Sequence, residues 1–209
     1  MKTVFENPDV IVCIKEPGMS SEYKENDENS LPFLIEKQIG KTPFTIHRLD
    51  VGVGGLIVYA KNKKSAAFLS ECITNGSFTK EYTALVRGEI KEESGHFSDL
   101  LFKDSKRNKT FVVNRMRTGV RQAELDYSVI KKGFDEKGEY NLIRIHLITG
   151  RSHQIRVQFS SRKLFLFGDG KYGSKDNSKN ICLWSSFLSF PDIQKGEPLT
   201  FECEPPFDA

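Results

Sequence analysis

The chain has 209 residues, 38% of them hydrophobic and 28% charged, and its net charge at pH 7 is +3. A chain of this length can bury a substantial core, and this composition is that of soluble globular proteins, which excludes wholesale disorder. Charges interrupt the apolar runs and residues 1–10 lack the apolar centre of a signal peptide, so we predict a cytoplasmic protein without a membrane span.

The chain opens with a predicted strand and a short helix. Apolar residues over Asp9–Lys15 predict a strand that stops at Pro17-Gly18. A polar loop, Ser20–Ser30, then leads into a helical pattern, with Ser30 as its expected N-cap and Gly40 as its end.

A second strand and a second helix follow. The run GLIVYAK, Gly55–Lys61, predicts a buried strand, and Asn62 can cap the helix after it. In that helix, residues 63–75, apolar side chains recur at helical spacing, and Gly76 supplies an exit.

From residue 79 onward the chain predicts mainly strands, because apolar and polar residues alternate as they do in antiparallel sheets. The predicted strands are Thr79–Ile90, Lys109–Arg115, Gln122–Lys132, Tyr140–Ile148, Ile181–Phe190 and Leu199–Glu204, with a helix over 151–163. Strands outnumber helices, and their order is not a βα repeat. We therefore predict an α+β fold, a single domain with a large mixed, mostly antiparallel sheet flanked by helices and loops.

The charge is distributed unevenly along the chain. Residues 1–40 hold four lysines against eight acidic residues, whereas Phe102–Arg121 holds seven basic residues against Asp104. The segment Arg151–Lys175 holds six basic residues against Asp169. Such segregation can create a positive surface for phosphates on a nearly neutral molecule, although a solvated charged face would give the same pattern.

Three segments contain chemically suggestive residues. HRLD places Asp50 just before a run of glycines, KEYTALVRG places Tyr82 on a strand, and TGRSHQIRV places Arg151 and Arg156 around the start of a helix. Each alone is ambiguous, because surface ion pairs, core tyrosines and solvated arginines are common. Together they offer a carboxylate, an aromatic ring and guanidinium groups, which chemistry on an extruded nucleotide requires.

These segments, in this order, closely resemble the signature motifs of the RluA-type pseudouridine synthases. The resemblance rests on HRLD with GGLIVYAKN, on KEYTALVRGE, on LITGRSHQIRVQF with GDGKYG, and on the early VIVCIKEPG. It implies that residues 1–209 form one catalytic domain without a separate N-terminal RNA-binding module. It also implies isomerisation of specific uridines in structured RNA, ribosomal or transfer, to pseudouridine. The implied partner is RNA, with no cofactor and no metal, and we expect a monomer.

The resemblance assigns roles to individual residues. Asp50 matches the catalytic carboxylate of the family, Tyr82 the tyrosine that stacks on the target base, and Arg156 the basic group that holds the carboxylate charged. Arg48 matches an arginine that keeps the target nucleotide out of its stack, and Ile155 an apolar wall of the pocket. The residues expected to bind the substrate are Arg48, His47, Arg151, His153 and Ile155.

One departure from the family pattern lies directly after the catalytic carboxylate. Where the family commonly has Asp-x-x-Thr-Ser-Gly, this chain has Asp50-Val51-Gly52-Val53-Gly54-Gly55. Two hydroxyl groups are missing, and the added glycines are expected to leave the loop less constrained. An alternative function is therefore that of an RNA-binding or RNA-folding protein of the same fold with weak or no catalysis.

The sequence gives little support for a glycoside hydrolase activity or for a metal site. A glycoside hydrolase normally needs two carboxylates across the scissile bond, and only Asp50 lies in a convincing motif. The spacing of His47, His146 and His153 fits no zinc pattern, and the four cysteines form no CxxC pair, so we predict no metal site.

Overall fold

The computed structural model describes residues 1–208. Within this range the chain divides into two compact units, residues 1–80 with 184–205 and residues 81–183 with the segment from Pro206 onward. No helix in residues 1–208 is both long enough and apolar enough to cross a membrane.

Residues 1–208 contain twelve strands and three α-helices. The strands are β1 (Lys2–Glu6), β2 (Val10–Lys15), β3 (Phe44–Thr45), β4 (Gly54–Ala60), β5 (Thr79–Arg87), β6 (Ser94–Asp104), β7 (Lys109–Val113), β8 (Val120–Asp135), β9 (Gly138–Leu147), β10 (Phe165–Leu166), β11 (Leu183–Pro191) and β12 (Pro198–Glu202). The helices are α1 (Leu31–Ile39), α2 (Lys63–Asn75) and α3 (Gln154–Ser160), and a one-turn 3-10 helix spans Gly170–Tyr172.

The first unit is built on a mixed group of strands. Their order is β1-β2-β4-β11, with β3 beside β4 and β12 beside β11. All of these neighbours are antiparallel except β4 and β11, which are parallel. Strand β4 is buried along its whole length, which explains its continuous apolar sequence. Val58, Leu69 and Phe190, from β4, α2 and β11, lie in one core.

The ends of the two helices in the first unit follow largely from the sequence. The Asn62 side chain accepts a hydrogen bond from the Ser65 backbone N–H at 2.9 Å and so caps α2, as predicted. Gly40 and Gly76 end α1 and α2 in the left-handed conformation, with φ of 72° and 81°. Both predicted exits are therefore confirmed.

Ser30 occupies the N-cap position of α1 but does not cap the helix with its side chain. Its hydroxyl instead donates to the Glu22 carbonyl at 2.9 Å and accepts from the Lys24 backbone N–H at 3.0 Å. The predicted capping role of Ser30 is wrong, because this buried hydroxyl organises the preceding loop.

The second unit is antiparallel throughout its main sheet. The strand order is β5-β9-β8-β6-β7, and β10 pairs with β5. Tyr82 on β5 lies opposite Ile145 on β9. Leu101, Ala123 and Val157 form a small core with Tyr172, so that α3 packs on β6 and β8.

The predicted α+β class and the mostly antiparallel strand pairing are confirmed within each unit. The assignment of residues 1–209 to a single catalytic domain stays a prediction. Strands β1 and β6, and the two-residue strands β3 and β10, were not predicted. The sequence of β6, SGHFSDLLFKD, contains Gly, Ser and Asp, which have low strand propensity, and its conformation is fixed by pairing with β8.

Gly54 and Gly55 are sites of close packing at the start of β4. A β-carbon on Gly54 would lie 2.3 Å from a ring carbon of Trp184, and one on Gly55 would lie 2.4 Å from the backbone N and O of Ser185. Gly55 also has a φ of +113°, which L-residues rarely adopt. Any side chain here would separate β4 from β11.

We predict that Gly55→Ala lowers the free energy of unfolding by about 3 kcal/mol, because it adds a backbone clash to an unfavourable φ. Urea unfolding measures the loss. Gly40→Ala is the matched control, because Gly40 also has a positive φ but has open space around its α-carbon. It should cost only about 1 kcal/mol, and equal losses in the two variants would contradict the packing explanation.

Candidate active site

Asp50 lies in a turn that leads from β3 to β4 in the first unit. Its carbonyl accepts a hydrogen bond from the Val53 N–H at 2.9 Å, and the side chain is partly exposed. The next carbonyl, that of Val51, accepts from the Gly18 N–H at 2.7 Å. The turn that carries Asp50 is therefore bound to the Pro17-Gly18 turn at the end of β2.

Lys15 joins the same two turns through its side chain; its motif, VIVCIKEPG, was recognised, but no role was predicted for this residue. It is fully buried, and its ammonium group donates to the carbonyls of Glu16, Met19 and Val51 at 3.1, 2.9 and 3.2 Å. Burial lowers the pKa of Lys15 to about 8, although the negative charges of Asp50 and Glu16 act in the opposite direction. Lys15 therefore places a positive charge near Asp50 at neutral pH.

Ser21 anchors the other side of the Asp50 turn. Its buried hydroxyl donates to the carbonyl of Leu49 at 2.8 Å and accepts from the N–H of Leu49 at 3.1 Å. The buried Tyr59 hydroxyl on β4 in turn donates to the Ser21 carbonyl at 3.1 Å. The residue immediately before Asp50 is thus fixed at both of its backbone polar groups.

These contacts contradict the expectation that glycines leave the loop less constrained. Lys15 and Ser21 supply hydrogen bonds from outside the loop, in place of the hydroxyls that the family pattern has within it. Gly54 belongs to β4 and packs against Trp184. The sequence did not predict these contacts, because Lys15 and Ser21 lie more than 25 residues before the loop and no spacing pattern links them to it.

His47 is buried and makes a structural contact. Its Nε2 accepts a hydrogen bond from the Val58 N–H at 3.2 Å, and its ring meets the edge of Phe78 at a centroid distance of 5.5 Å. Burial, with a smaller effect of the Lys80 charge, lowers the pKa of His47 to about 3, so the ring is neutral at physiological pH. Its predicted contact with substrate stays a prediction.

Arg48 is exposed, and its guanidinium forms an ion pair with the carboxylate of Glu22. Both side chains keep more than half of their surface accessible, at 53% and 61%. Arg48 therefore presents a cation at the surface of the first unit, two residues before Asp50 in the sequence, and Glu22 is already bound to it.

Arg156 on α3 is the centre of a buried polar cluster in the second unit. Its Nε and Nη2 donate to the two carboxylate oxygens of Asp169 at 2.7 and 2.8 Å, and its guanidinium lies 5.0 Å from the ring centroid of Tyr172. The side chains of Arg156 and Asp169 are only 7% and 2% exposed. Asp169 and Tyr172 belong to the motif GDGKYG. This motif was recognised from the sequence, but its binding of Arg156 was not predicted.

His153 and Gln154 shape the start of α3. His153 has a φ of 53°, and its Nδ1 is hydrogen-bonded to the Tyr172 hydroxyl at 2.9 Å. The buried Gln154 amide oxygen accepts from the Arg151 N–H and the Thr149 hydroxyl at 2.9 and 2.8 Å. These bonds therefore tie the loop before α3 to the first residue of the helix and to Tyr172 of the buried cluster.

The remaining predicted site residues of the second unit differ in exposure. Tyr82 and Ile155 are buried, at 5% and 4% exposure, whereas Arg151 is exposed and donates through Nε to the Gln122 carbonyl at 2.9 Å. Asp50 lies in the first unit, and Tyr82 and Arg156 lie in the second. The predicted grouping of these three residues stays a prediction.

The two basic stretches of the sequence meet in the second unit. The Thr110 hydroxyl donates to the Ser152 carbonyl at 2.9 Å, and the Thr110 N–H donates to the Tyr172 hydroxyl at the same distance. Lys109 donates to the Lys171 carbonyl at 2.7 Å and lies 5.1 Å from the Tyr172 ring centroid. Lys109 is thus part of the scaffold, whereas the exposed cations of the first stretch are Lys103, Lys106, Arg107, Arg115, Arg117 and Arg121.

The chemistry available in the two units is that of a carboxylate on an anchored turn and of guanidinium groups on rigid supports. A carboxylate held in this way can act as a nucleophile or remove a proton without first having to become ordered. Among residues 1–208, no group of three or more His, Cys, Asp and Glu side chains is arranged to hold a metal ion.

Comparison with known proteins gives consistent similarities. The sequence model described as RNA pseudouridylate synthase matches residues 9–161. An uncharacterized RNA pseudouridine synthase from Aquifex aeolicus (strain VF5) is 32% identical over 217 residues, which cover 97% of this chain and 66% of the relative. Ribosomal large subunit pseudouridine synthase D from Borreliella burgdorferi is 29% identical over 86% of this chain and 57% of the relative.

The fold is also that of a solved structure. Human RNA Pseudouridylate Synthase Domain Containing 1 superposes with a TM-score of 0.82 at 22% identity, over 99% of this chain and 84% of the human chain. This likeness confirms the predicted fold. The chain spans between about half and two-thirds of the length of the first relatives it matches, at 53%, 66% and 57%.

We predict that Asp169→Asn lowers the free energy of unfolding by about 3–5 kcal/mol, because it removes the buried carboxylate that accepts two hydrogen bonds from Arg156. Urea unfolding of the two proteins measures the difference. Asp135→Asn is the control, since Asp135 is an exposed carboxylate on Arg87, which keeps Asp176 as a partner. It should cost about 1 kcal/mol or less, and an Asp169 variant as stable as this control would contradict a structural role for the buried pair.

Proposed function

Because the chain belongs to the RNA pseudouridylate synthase family, we propose that it isomerises specific uridines in structured RNA, ribosomal or transfer, to pseudouridine. The observation that carries the proposal is the Asp50 turn, whose neighbours Leu49 and Val51 are each hydrogen-bonded to side chains from another segment. A partly exposed carboxylate on an anchored turn, in the family's motif position, is what the reaction needs.

The proposed reaction is balanced within the substrate. The bond between N1 of the base and C1′ of the ribose breaks, the base rotates, and a bond from C5 to C1′ forms. The C5 proton is lost and N1 gains a proton, so no oxidant, reductant or group donor is consumed. A cofactor is therefore not required, and we propose that the protein works without one, as a monomer in the cytoplasm.

Asp50 is the proposed catalytic carboxylate, acting as the nucleophile or in removal of a sugar proton while the base is detached. Lys15 supports this role, because its ammonium group binds the carbonyl of Val51, directly after Asp50, and brings a positive charge to the turn. Arg156 is the proposed cation that holds Asp50 charged and aimed. Its own orientation is supported by the bidentate contact with Asp169.

Tyr82 is proposed to stack on the extruded base, with Ile155 as an apolar wall of the pocket. Extrusion of a base costs a few kcal/mol, and stacking on one aromatic ring returns about 1–3 kcal/mol. Arg48 is proposed to hold the target nucleotide out of its stack, and its exposure supports that role. Contacts of His47, Arg151 and His153 with RNA remain part of the proposal.

The alternative of an RNA-binding protein with weak catalysis rested on an unconstrained glycine loop. Since Lys15, Ser21 and Trp184 constrain that loop and the start of β4, this reason no longer holds. We therefore favour the enzyme. The name of the Borreliella burgdorferi relative, a ribosomal large subunit pseudouridine synthase, supports ribosomal RNA as the first substrate to test.

We predict that Asp50→Asn abolishes pseudouridine formation, with a loss of about a thousandfold or more in single-turnover rate, because the amide keeps the shape but loses charge and nucleophilicity. The substrate is unmodified RNA, and pseudouridines are mapped before and after incubation with each protein. Affinity for RNA should be unchanged or slightly higher, since a negative charge is removed.

The control is Asp126→Asn, which removes an exposed carboxylate paired with His96 on the sheet of the second unit. It should retain the parental rate. Substantial product from the Asp50 variant would overturn the catalytic assignment. No new pseudouridine with the parent protein on either ribosomal or transfer RNA would overturn the proposed function.

The exposed cations of the first basic stretch are proposed to contact RNA phosphates. We predict that joint replacement of Lys106, Arg107 and Arg115 by Ala weakens RNA binding. The slope of log affinity against log salt should also become shallower, by about 0.7–0.9 for each phosphate that is no longer neutralised. The site of modification should not change, because phosphate contacts carry no sequence information.

The matched control replaces three exposed lysines outside the basic stretches, Lys37, Lys63 and Lys131, and so removes the same charge. Equal slopes for the two triple variants would show that net charge alone matters and that the RNA path lies elsewhere. Lys109 is left intact because it packs on Tyr172 and bonds to the Lys171 carbonyl.

A further inference from the structure

The ion pair between Glu22 and Arg48 joins an acidic loop to the cation two residues before the proposed catalytic Asp50. Residues 22–28 contain four carboxylates and one lysine. Two of the carboxylates already have other partners, since Asp27 pairs with Lys24 at 3.8 Å and Glu28 pairs with Lys37 at 3.1 Å. Glu22 is the residue of this loop that meets the Asp50 turn.

The backbone of Glu22 is held in place by two buried hydroxyl groups. Its carbonyl accepts from the hydroxyls of Ser20 and Ser30 at 3.1 and 2.9 Å, and its N–H donates to the Ser20 hydroxyl at 3.2 Å. The preceding residue, Ser21, is bound to Leu49 through both backbone groups of that residue. Glu22 is thus anchored from both sides, so that its side chain starts from a fixed position beside Arg48.

This anchoring does not serve stability through the ion pair itself. Both charged side chains are more than half exposed, and exposed ion pairs contribute little to the free energy of unfolding. Five hydrogen bonds that involve the buried hydroxyls of Ser20, Ser21 and Ser30 nevertheless position the loop at Arg48 and Leu49. An anchored backbone with a weak, exposed ion pair suits a contact between Glu22 and Arg48 that forms and breaks readily.

A carboxylate and a phosphate offer a guanidinium group the same kind of acceptor. The phosphate of a nucleotide that binds Arg48 therefore competes with the Glu22 carboxylate for the guanidinium group and also meets its negative charge. We propose that Glu22 competes with RNA for Arg48 as an internal competitor. Its carboxylate binds Arg48 in the free protein and so lowers the affinity of the protein for RNA. The inference rests on the proposed function, because it assigns to Arg48 a contact with the target nucleotide.

Displacement has a consequence for salt dependence. A freed Glu22 carboxylate attracts a cation from solution, and this uptake offsets part of the counterion release that accompanies RNA binding. Without the carboxylate, the offset disappears. The competitor should therefore make the salt dependence of the parent shallower than that of a protein in which Glu22 is neutral.

The test measures binding of a short RNA hairpin with uridines in its loop to four proteins: the parent, Glu22→Gln, Arg48→Ala and the double variant. We expect Glu22→Gln to bind about two- to fivefold more tightly at moderate salt, which is about 0.4–1 kcal/mol at 1.4 kcal/mol per tenfold change. Its slope of log affinity against log salt should be steeper by up to about one. In the Arg48→Ala background the same substitution should change neither quantity.

Glu25→Gln is the matched control, because it removes an equal charge from the same loop three residues away. A gain in Glu25→Gln equal to that in Glu22→Gln would reduce the effect to the general field of the loop and overturn the inference. A gain that persists in the Arg48→Ala background would overturn it as well.

The outcome separates this inference from the proposed function. If the parent forms pseudouridine but Glu22→Gln changes neither the affinity for RNA nor the slope, the inference about Glu22 is wrong and the proposed enzyme function holds. If the four proteins show the expected pattern of affinities but none forms pseudouridine, the competitor holds and the proposed reaction is wrong.

Discussion

The buried ammonium group of Lys15 is the contact on which the proposed catalytic turn depends. A charge inside a protein is costly unless it is fully hydrogen-bonded, and Lys15 meets this condition with three backbone carbonyls. Those carbonyls come from the turn after β2 and from Val51, directly after Asp50. The same group therefore closes two turns and brings a positive charge to the proposed nucleophile. An apolar residue of similar length would deprive all three acceptors of this donor.

In the second unit, the buried charge of Arg156 is stabilised by an ion pair. Arg156 and Asp169 are both buried, and two parallel hydrogen bonds together with the Tyr172 ring satisfy the guanidinium group on several sides. Buried pairs of this kind are weak evidence for stability, because desolvation offsets the attraction. What they provide is orientation: a short helix, α3, carries a guanidinium whose direction is fixed by a neighbouring loop. Each unit thus supports its charged group by a contact that fixes geometry at a cost in desolvation.

The sequence predicted the local features well and the spatial partners poorly. The caps and exits of α2, the buried strand β4 and the strand that carries Tyr82 follow from short-range patterns, and all three are confirmed. The contact of Ser21 with Leu49 and that of Asp169 with Arg156 join residues that no periodicity connects. The Ser30 cap was wrong for the same reason, because a hydroxyl in a suitable local position found a better partner in the loop before it. Candidate site residues were predicted from motifs, but the contacts that hold those residues were not.

The close packing of Gly54 on Trp184 gives the protein a built-in optical reporter. Trp184 is the only tryptophan of the chain, it is 5% exposed, and its indole N–H has no hydrogen-bond partner within residues 1–208. All of the indole emission therefore arises from the buried contact of Trp184 with Gly54, which joins β4 to β11 and lies four residues beyond Asp50 along the chain. Its wavelength and intensity report directly on whether that contact stays closed. Movements at the base of the Asp50 turn can thus be followed in the unlabelled protein, in real time, as RNA is added.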